Sequence, residues 1–195
     1  MKSKMPSILT GAAFILCSMT ALGAGSELLP GDNGRPAEGI FNPNPPPKPA
    51  GATQNPPAIA RAPAIDLAVR AAQAIAEGCK QFKLGITVVN SAGAPILVYI
   101  PDGSDAHHGY MALRKAYTAV TFKVPTSQLV SKAQQDAEFA GKIKSDPNLV
   151  AYAGGLPLKA GDDIIGAVGV SGAEPGHHDE ECGLLGVERI KNDLK

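Results

Sequence analysis

The sequence predicts an α+β domain in which helices pack on a five-stranded, largely antiparallel sheet. Three observations carry this reading: helical apolar stripes alternate with short β-rich runs, neighbouring runs are separated by tight turns, and the order is helix, two strands, two helices, three strands, helix. Strands joined by hairpins run antiparallel, which excludes an all-parallel sheet. The domain runs from Ala64 to Lys195, long enough for one core and too short for two.

Ile65, Leu67, Ala68, Ala71, Ala72, Ile75 and Ala76 recur at helical spacing, and Gly78 ends the run. Leu84–Val89 and Pro95–Ile100 are β-rich, with Asn90-Ser91-Ala92-Gly93 as the hairpin between them. After the Pro101-Asp102-Gly103 turn, Met111–Phe122 carries Ala112, Ala116, Ala119 and Val120 at helical spacing. Pro125 breaks that helix, Thr126-Ser127 makes a new start, and Gln128–Lys144 reads as a second, more polar helix. Leu149–Tyr152, Leu156–Lys159 and Ile164–Val170 read as three further strands, the last pair turned by Gly161-Asp162-Asp163. Asp179–Asp193 closes the chain as a helix with Leu184, Leu185, Val187 and Ile190 available to a core.

Two different segments precede the domain. Lys2 and Lys4 stand before an apolar stretch, Ile8–Leu22, that ends in small residues, so 1–23 is expected to be a secretory signal and the protein periplasmic or secreted. The stretch is short of the roughly 20 apolar residues of a membrane span, and no stable membrane anchor is expected. Residues 24–63 are dense in Pro, Gly and Asn and read as an extended tether, because few large apolar side chains offset the entropy of ordering them. Removing 1–23 leaves 16 basic against 18 acidic side chains. That slight acidity excludes a polybasic surface for nucleic acid or anionic lipid. It also leaves Cys79 and Cys182, which form either a disulfide or two buried free thiols.

All four histidines come as adjacent pairs, His107-His108 and His177-His178, each just before an expected helix. Imidazole suits haem iron and divalent metals at neutral pH, and solvated or capping roles are the plainer alternative. Asp179 reads as a helix N-cap, with Glu180 and Glu181 favourable in the first turn. The sequence lacks Gly-x-Ser-x-Gly, His-Glu-x-x-His and dinucleotide-binding patterns, so an enzymatic reading has little local support.

Four stretches, Ile86-Thr87-Val88-Val89-Asn90-Ser91-Ala92-Gly93, Ala112-Leu113-Arg114-Lys115-Ala116-Tyr117-Thr118-Ala119, Gly154-Gly155-Leu156-Pro157-Leu158 and Ile165-Gly166-Ala167-Val168-Gly169-Val170-Ser171-Gly172, together resemble the GlcG/HbpS family. The resemblance implies a profilin-like α/β/α sandwich, frequent homo-oligomers, and binding of haem or a related tetrapyrrole. It also places one wall of a ligand pocket on the helix carrying Arg114, Lys115, Tyr117 and Thr118. His107 or His108 is then the leading candidate for iron, ahead of His177 and His178. Arg114 and Lys115 could pair with propionates, Tyr117 and Thr118 offer oxygen donors, and Gly154 and Gly155 allow bends or close approach. Ala112, Ala116 and Ala119 suit either a flat ligand or tight helix–sheet packing. Family members often carry Arg-x-Asp-Gly-Ala where this chain has Tyr99-Ile100-Pro101-Asp102-Gly103-Ser104, which leaves no Arg for an anion contact there. The function so implied is an exported haem-binding protein for capture, storage or sensing. The alternatives are an enzyme acting on haem or a small organic acid, and a metal-binding or scaffold module.

Overall fold

A computed structural model of the chain describes residues 60–195. The expected signal segment and the expected tether up to residue 59 lie outside the described residues. Arg61–Pro63, the end of that tether, rest on the domain: the Arg61 carbonyl accepts from Ser91 N at 2.8 Å, Arg61 pairs with Asp163, and Pro63 is buried.

The elements are α1 (Ile65–Gly78), β1 (Gly85–Asn90), β2 (Pro95–Tyr99), α2 (Ala106–Phe122), α3 (Ser127–Gln135), α4 (Ala137–Ser145), β3 (Gly155–Ala160), β4 (Asp163–Ser171) and α5 (His178–Ile190). The sheet has four strands, in the order β2-β1-β4-β3, and every neighbouring pair is antiparallel. It thus has one strand fewer than expected. Leu149–Tyr152 is buried at Leu149 and Val150 as the apolar run suggested, yet side chains of α2 satisfy its backbone. Thr118 Oγ1 accepts from Val150 N at 3.0 Å, and Arg114 Nη2 donates to the Leu149 carbonyl at 3.2 Å. The run pairs with a helix where it was expected to pair with a strand.

The expected Gln128–Lys144 helix is likewise two helices. Asp136 ends α3 in an extended conformation and caps α4, its Oδ1 accepting from Phe139 N at 2.9 Å. The order is therefore helix, two strands, three helices, two strands, helix.

Helices cover both faces of the sheet. Ile86, Val88, Val168 and Val170 point to one face, into a core shared with Leu67, Ala71 and Ile75 of α1 and Cys182 and Ile190 of α5. Val89 and Ala167 point to the other, against Leu113, Ala116 and Ala119 of α2. Burying each such large aliphatic side chain contributes about 1.5–3 kcal/mol. The alanines of α2 therefore pack on the sheet, and glycine makes the contact tighter still. A Cβ on Gly169 would stand 1.9 Å from the Ala112 carbonyl oxygen, and one on Gly155 2.3 Å from that of Lys115. With no side chain at those two points, α2 lies almost against the strand backbones.

On the opposite face Cys79, just past α1, is joined to Cys182 of α5, with Cα atoms 6.0 Å apart across 103 residues of sequence. The disulfide alternative holds, and Cys182 has no thiol for metal. Among the described residues no helix is long and apolar enough to cross a membrane.

Candidate functional site

Asp105 sets the start of α2. Its Oδ1 accepts from His107 N at 2.8 Å, so His107 and His108 belong to the first helical turn and not to the loop before it. His108 leads by helical spacing to Met111 and then to Lys115, which brings these side chains along one face. They form one wall of a cavity of about 590 Å³. Ser171, Gly172, Glu174, Gly176, His177 and Asp179 form the facing wall, with Val130, Tyr152 and Ala153 at the side. The size lies within the range of small-molecule and cofactor pockets, roughly 300–1,000 Å³. Gly172 has φ of 112°, and a Cβ there would meet the Lys83 carbonyl oxygen at 2.3 Å and the His108 ring at 3.2 Å. Glycine allows the chain to leave β4 directly beside His108.

Lys115 and Asp179 meet at the inner end, Nζ to Oδ2 2.6 Å, with both side chains 5% exposed. Asp179 Oδ1 also accepts from Ala173 N at 2.8 Å. Burial lowers the Lys115 pKa, against the opposing attraction and hydrogen bond of Asp179. Burial raises the Asp179 pKa, against the same attraction from Lys115. Each shift favours the neutral form, because desolvation outweighs pairing at this depth. Asp179 lies inside α5, whose N-cap position is His177, so its expected capping role is replaced by a tertiary one. The pair ties α5 to α2 across the cavity floor.

His177 is exposed on the rim, while His178 turns away from the cavity. The His178 ring stacks on Phe82 with centroids 5.7 Å apart, and its Nδ1 lies 2.6 Å from Glu181 Oε2. That hydrogen bond lowers the Glu181 pKa. The two imidazoles of this pair have centroids 4.2 Å apart.

His107, His108, Lys115 and His177 thus come together around the cavity. The remaining candidates do not line it. Arg114 is buried toward Leu149 and Tyr110, with its Nη1 3.6 Å from Met111 Sδ. Tyr117 covers the Gly93 turn of the β1–β2 hairpin. Thr118 is engaged on both sides, donating to the Arg114 carbonyl at 2.8 Å and accepting from Val150 N. Gly154, at φ of 116°, backs onto Asp179 and Lys115, and Gly155 starts β3 beneath α2. Met111, Tyr152, Ser171, Glu174 and Asp179 line the cavity without having been singled out as binding residues. The helical spacing from His108 could have found Met111. No local signal could have joined Asp179 to Lys115, 64 positions away.

Comparison with known proteins matches residues 62–188 to the family model of the haem-degrading HbpS-like proteins. An uncharacterized 15.0 kDa protein of the dhaT-dhaS intergenic region of Citrobacter freundii is 32% identical over 87 residues, 44% of this chain and 61% of the relative. The chain therefore spans less than two thirds of that relative's length. Among solved structures, a double mutant of Streptomyces reticuli HbpS is 28% identical with a TM-score of 0.61, over 74% of this chain and 97% of that one. The PduOC–haem complex shares the fold at 22% identity and a TM-score of 0.62, over 66% of this chain and 95% of that one. With a family model covering most of the domain and antiparallel α+β folds to match, this chain belongs to the HbpS-like family of the GlcG/HbpS group.

Proposed function

We propose that the chain is an exported protein that binds haem or a related tetrapyrrole, for capture, storage or sensing, and that it assembles as a homo-oligomer. The observation that carries the binding reading is the cavity of about 590 Å³ on which three imidazoles and one buried ion pair converge. Family membership and the haem complex of a structural neighbour support it. The apolar run and small residues of 1–23 support export.

The donor set suits the ligand. His107 and His108 offer imidazole nitrogen to iron, and Met111, Val130 and Ala153 offer apolar wall to a macrocycle. Lys115 is already held by Asp179, so a propionate reaching it competes with a carboxylate 2.6 Å away. Bound haem would supply ligand-exchange and one-electron redox chemistry; the residues of the chain bind it, orient it and limit its exposure to water.

Haemin titrated into the purified protein should give a saturable shift of the Soret band. Replacing His107 and His108 together by alanine should abolish the ligand-field signature. His177→Ala should alter it less, and His178→Ala should leave it unchanged. A Soret band that never saturates removes the haem reading.

A second reading, haem breakdown, is favoured by the description of the matching family. It predicts that the Soret band decays under reductant with iron release even when catalase is present. A stable band under those conditions leaves binding alone.

A further inference from the structure

At the cavity rim, one cluster of metal-ligating side chains shares only His177 with the haem reading, and its His178 and Glu181 do not line the cavity. One ring nitrogen of His177, one of His178 and one carboxylate oxygen of Glu181 all lie within 4.8 Å of one another. We propose that these three residues form a site for a first-row divalent transition ion such as Zn²⁺ beside the cavity mouth, with water completing the coordination.

Two imidazoles and one carboxylate are a donor set that suits zinc, copper, nickel and ferrous iron, and three protein ligands with an open position is a common zinc arrangement. Donors about 2.0–2.2 Å from a tetrahedral ion stand roughly 3.4 Å apart, so separations of up to 4.8 Å have to close by at most about 1.4 Å. Small rotations of exposed side chains accomplish that. His177 and Glu181 are both exposed, and His178 is half-buried.

The backbone beneath them is unusually well fixed. Within the same turn Asp179 is held by Lys115 and by Ala173 N, Glu180 Oε1 accepts from Ser127 Oγ at 2.8 Å, and Cys182 is bonded to Cys79. Phe82 stacks on the His178 ring and restricts its rotation. In the absence of an ion the Glu181 carboxylate is 2.6 Å from His178 Nδ1, so a cation arriving there takes the place of a shared proton. The positive end of the α5 dipole opposes a cation at this position. The Glu181 charge and the two imidazole nitrogens act against it, and an exposed site of three protein ligands is expected to bind more weakly than a buried four-ligand structural zinc site.

The test uses the full chain without a histidine tag and without haemin. Co²⁺ should produce a visible ligand-field band that saturates at one equivalent, and Zn²⁺ should abolish that band by displacement. Even residues that only orient a metal ligand are worth about 10–100-fold in affinity, so Glu181→Gln and His178→Ala should each weaken binding at least about tenfold. The double replacement of His107 and His108 should change it less than about twofold. Glu181 is an exposed residue whose replacement leaves the core intact, and thermal unfolding of each variant verifies that. Absence of a saturable band overturns the proposal, as does an affinity unchanged in Glu181→Gln or one lost in the His107/His108 variant. Haemin binding is measured apart from this and can fail or succeed without affecting the outcome.

Discussion

The Lys115–Asp179 pair offers the sharpest test of how the cavity floor is held. Both side chains are 5% exposed and 2.6 Å apart, so removing either partner leaves an uncompensated group where water cannot reach it. Breaking a buried pair in this way costs about 3–5 kcal/mol, whereas replacing both partners is far less costly. Lys115→Met keeps the length of the side chain and removes its charge. Asp179→Asn keeps an oxygen for Ala173 N and removes the other charge. Each single variant should lose about 3–5 kcal/mol. The double variant leaves only the new side-chain amide NH₂ group without a partner, a cost of about 1–3 kcal/mol. The two substitutions should therefore be non-additive by at least about 3 kcal/mol, at the upper end of the coupling seen between contacting residues. The assay is urea unfolding at pH 7 followed by far-ultraviolet circular dichroism, since the chain has no tryptophan. With a slope of about 1.5 kcal/mol/M, each single replacement should lower the midpoint by roughly 2–3 M. A double variant as unstable as the sum of the singles would refute the reasoning, because the pair would then not be coupled.

Three further perturbations address the disulfide and the glycines. Reducing the Cys79–Cys182 bridge, or replacing both cysteines by alanine, should lower stability by about 4.7 kcal/mol in the chain-entropy account of a loop this long, read as a drop in the urea midpoint. An unchanged midpoint would show that the bridge does not constrain the unfolded chain. Gly169→Ala drives a Cβ into the Ala112 carbonyl and should cost about 1–3 kcal/mol or more. Gly141→Ala, in α4 with nothing within 4 Å of the added atom, should stabilise by about 0.5–1 kcal/mol. Melting temperatures moving in opposite directions distinguish steric contact from a general intolerance of substitution.

Where local chemistry decides structure, the sequence was readable. The Asn90-Ser91-Ala92-Gly93 and Gly161-Asp162-Asp163 turns lie between strands β1–β2 and β3–β4, and Gly78 ends α1 as expected. Two capping aspartates carry more than the apolar spacing shows: Asp105 puts His107 and His108 inside α2, and Asp136 divides the polar helix. Leu149–Tyr152 forms no strand for a different reason. A short apolar run reports that a segment is buried, not which group completes its hydrogen bonds, and here Thr118 and Arg114 take the part of a strand neighbour. The same substitution explains why both residues lie away from the cavity although the helix that carries them forms its wall.

That division of labour along α2 follows from its geometry. A helix pressed between a sheet and the 149–150 segment has three faces to satisfy within a few turns. The alanine face meets Gly169 and Gly155 of the sheet, the Arg114 and Thr118 face holds the 149–150 backbone, and the His108, Met111 and Lys115 face is left to the cavity. Only the last face is free to change with the ligand. Of its residues, Lys115 is committed to Asp179 and hence to α5, so the histidines at the mouth can vary in role without disturbing the fold, whereas the floor cannot. Under the proposed function the rim, built from the first turns of α2 and α5, is where a ligand would be distinguished, while the buried pair ties α5 to the middle of α2 and the disulfide ties α5 to the end of α1.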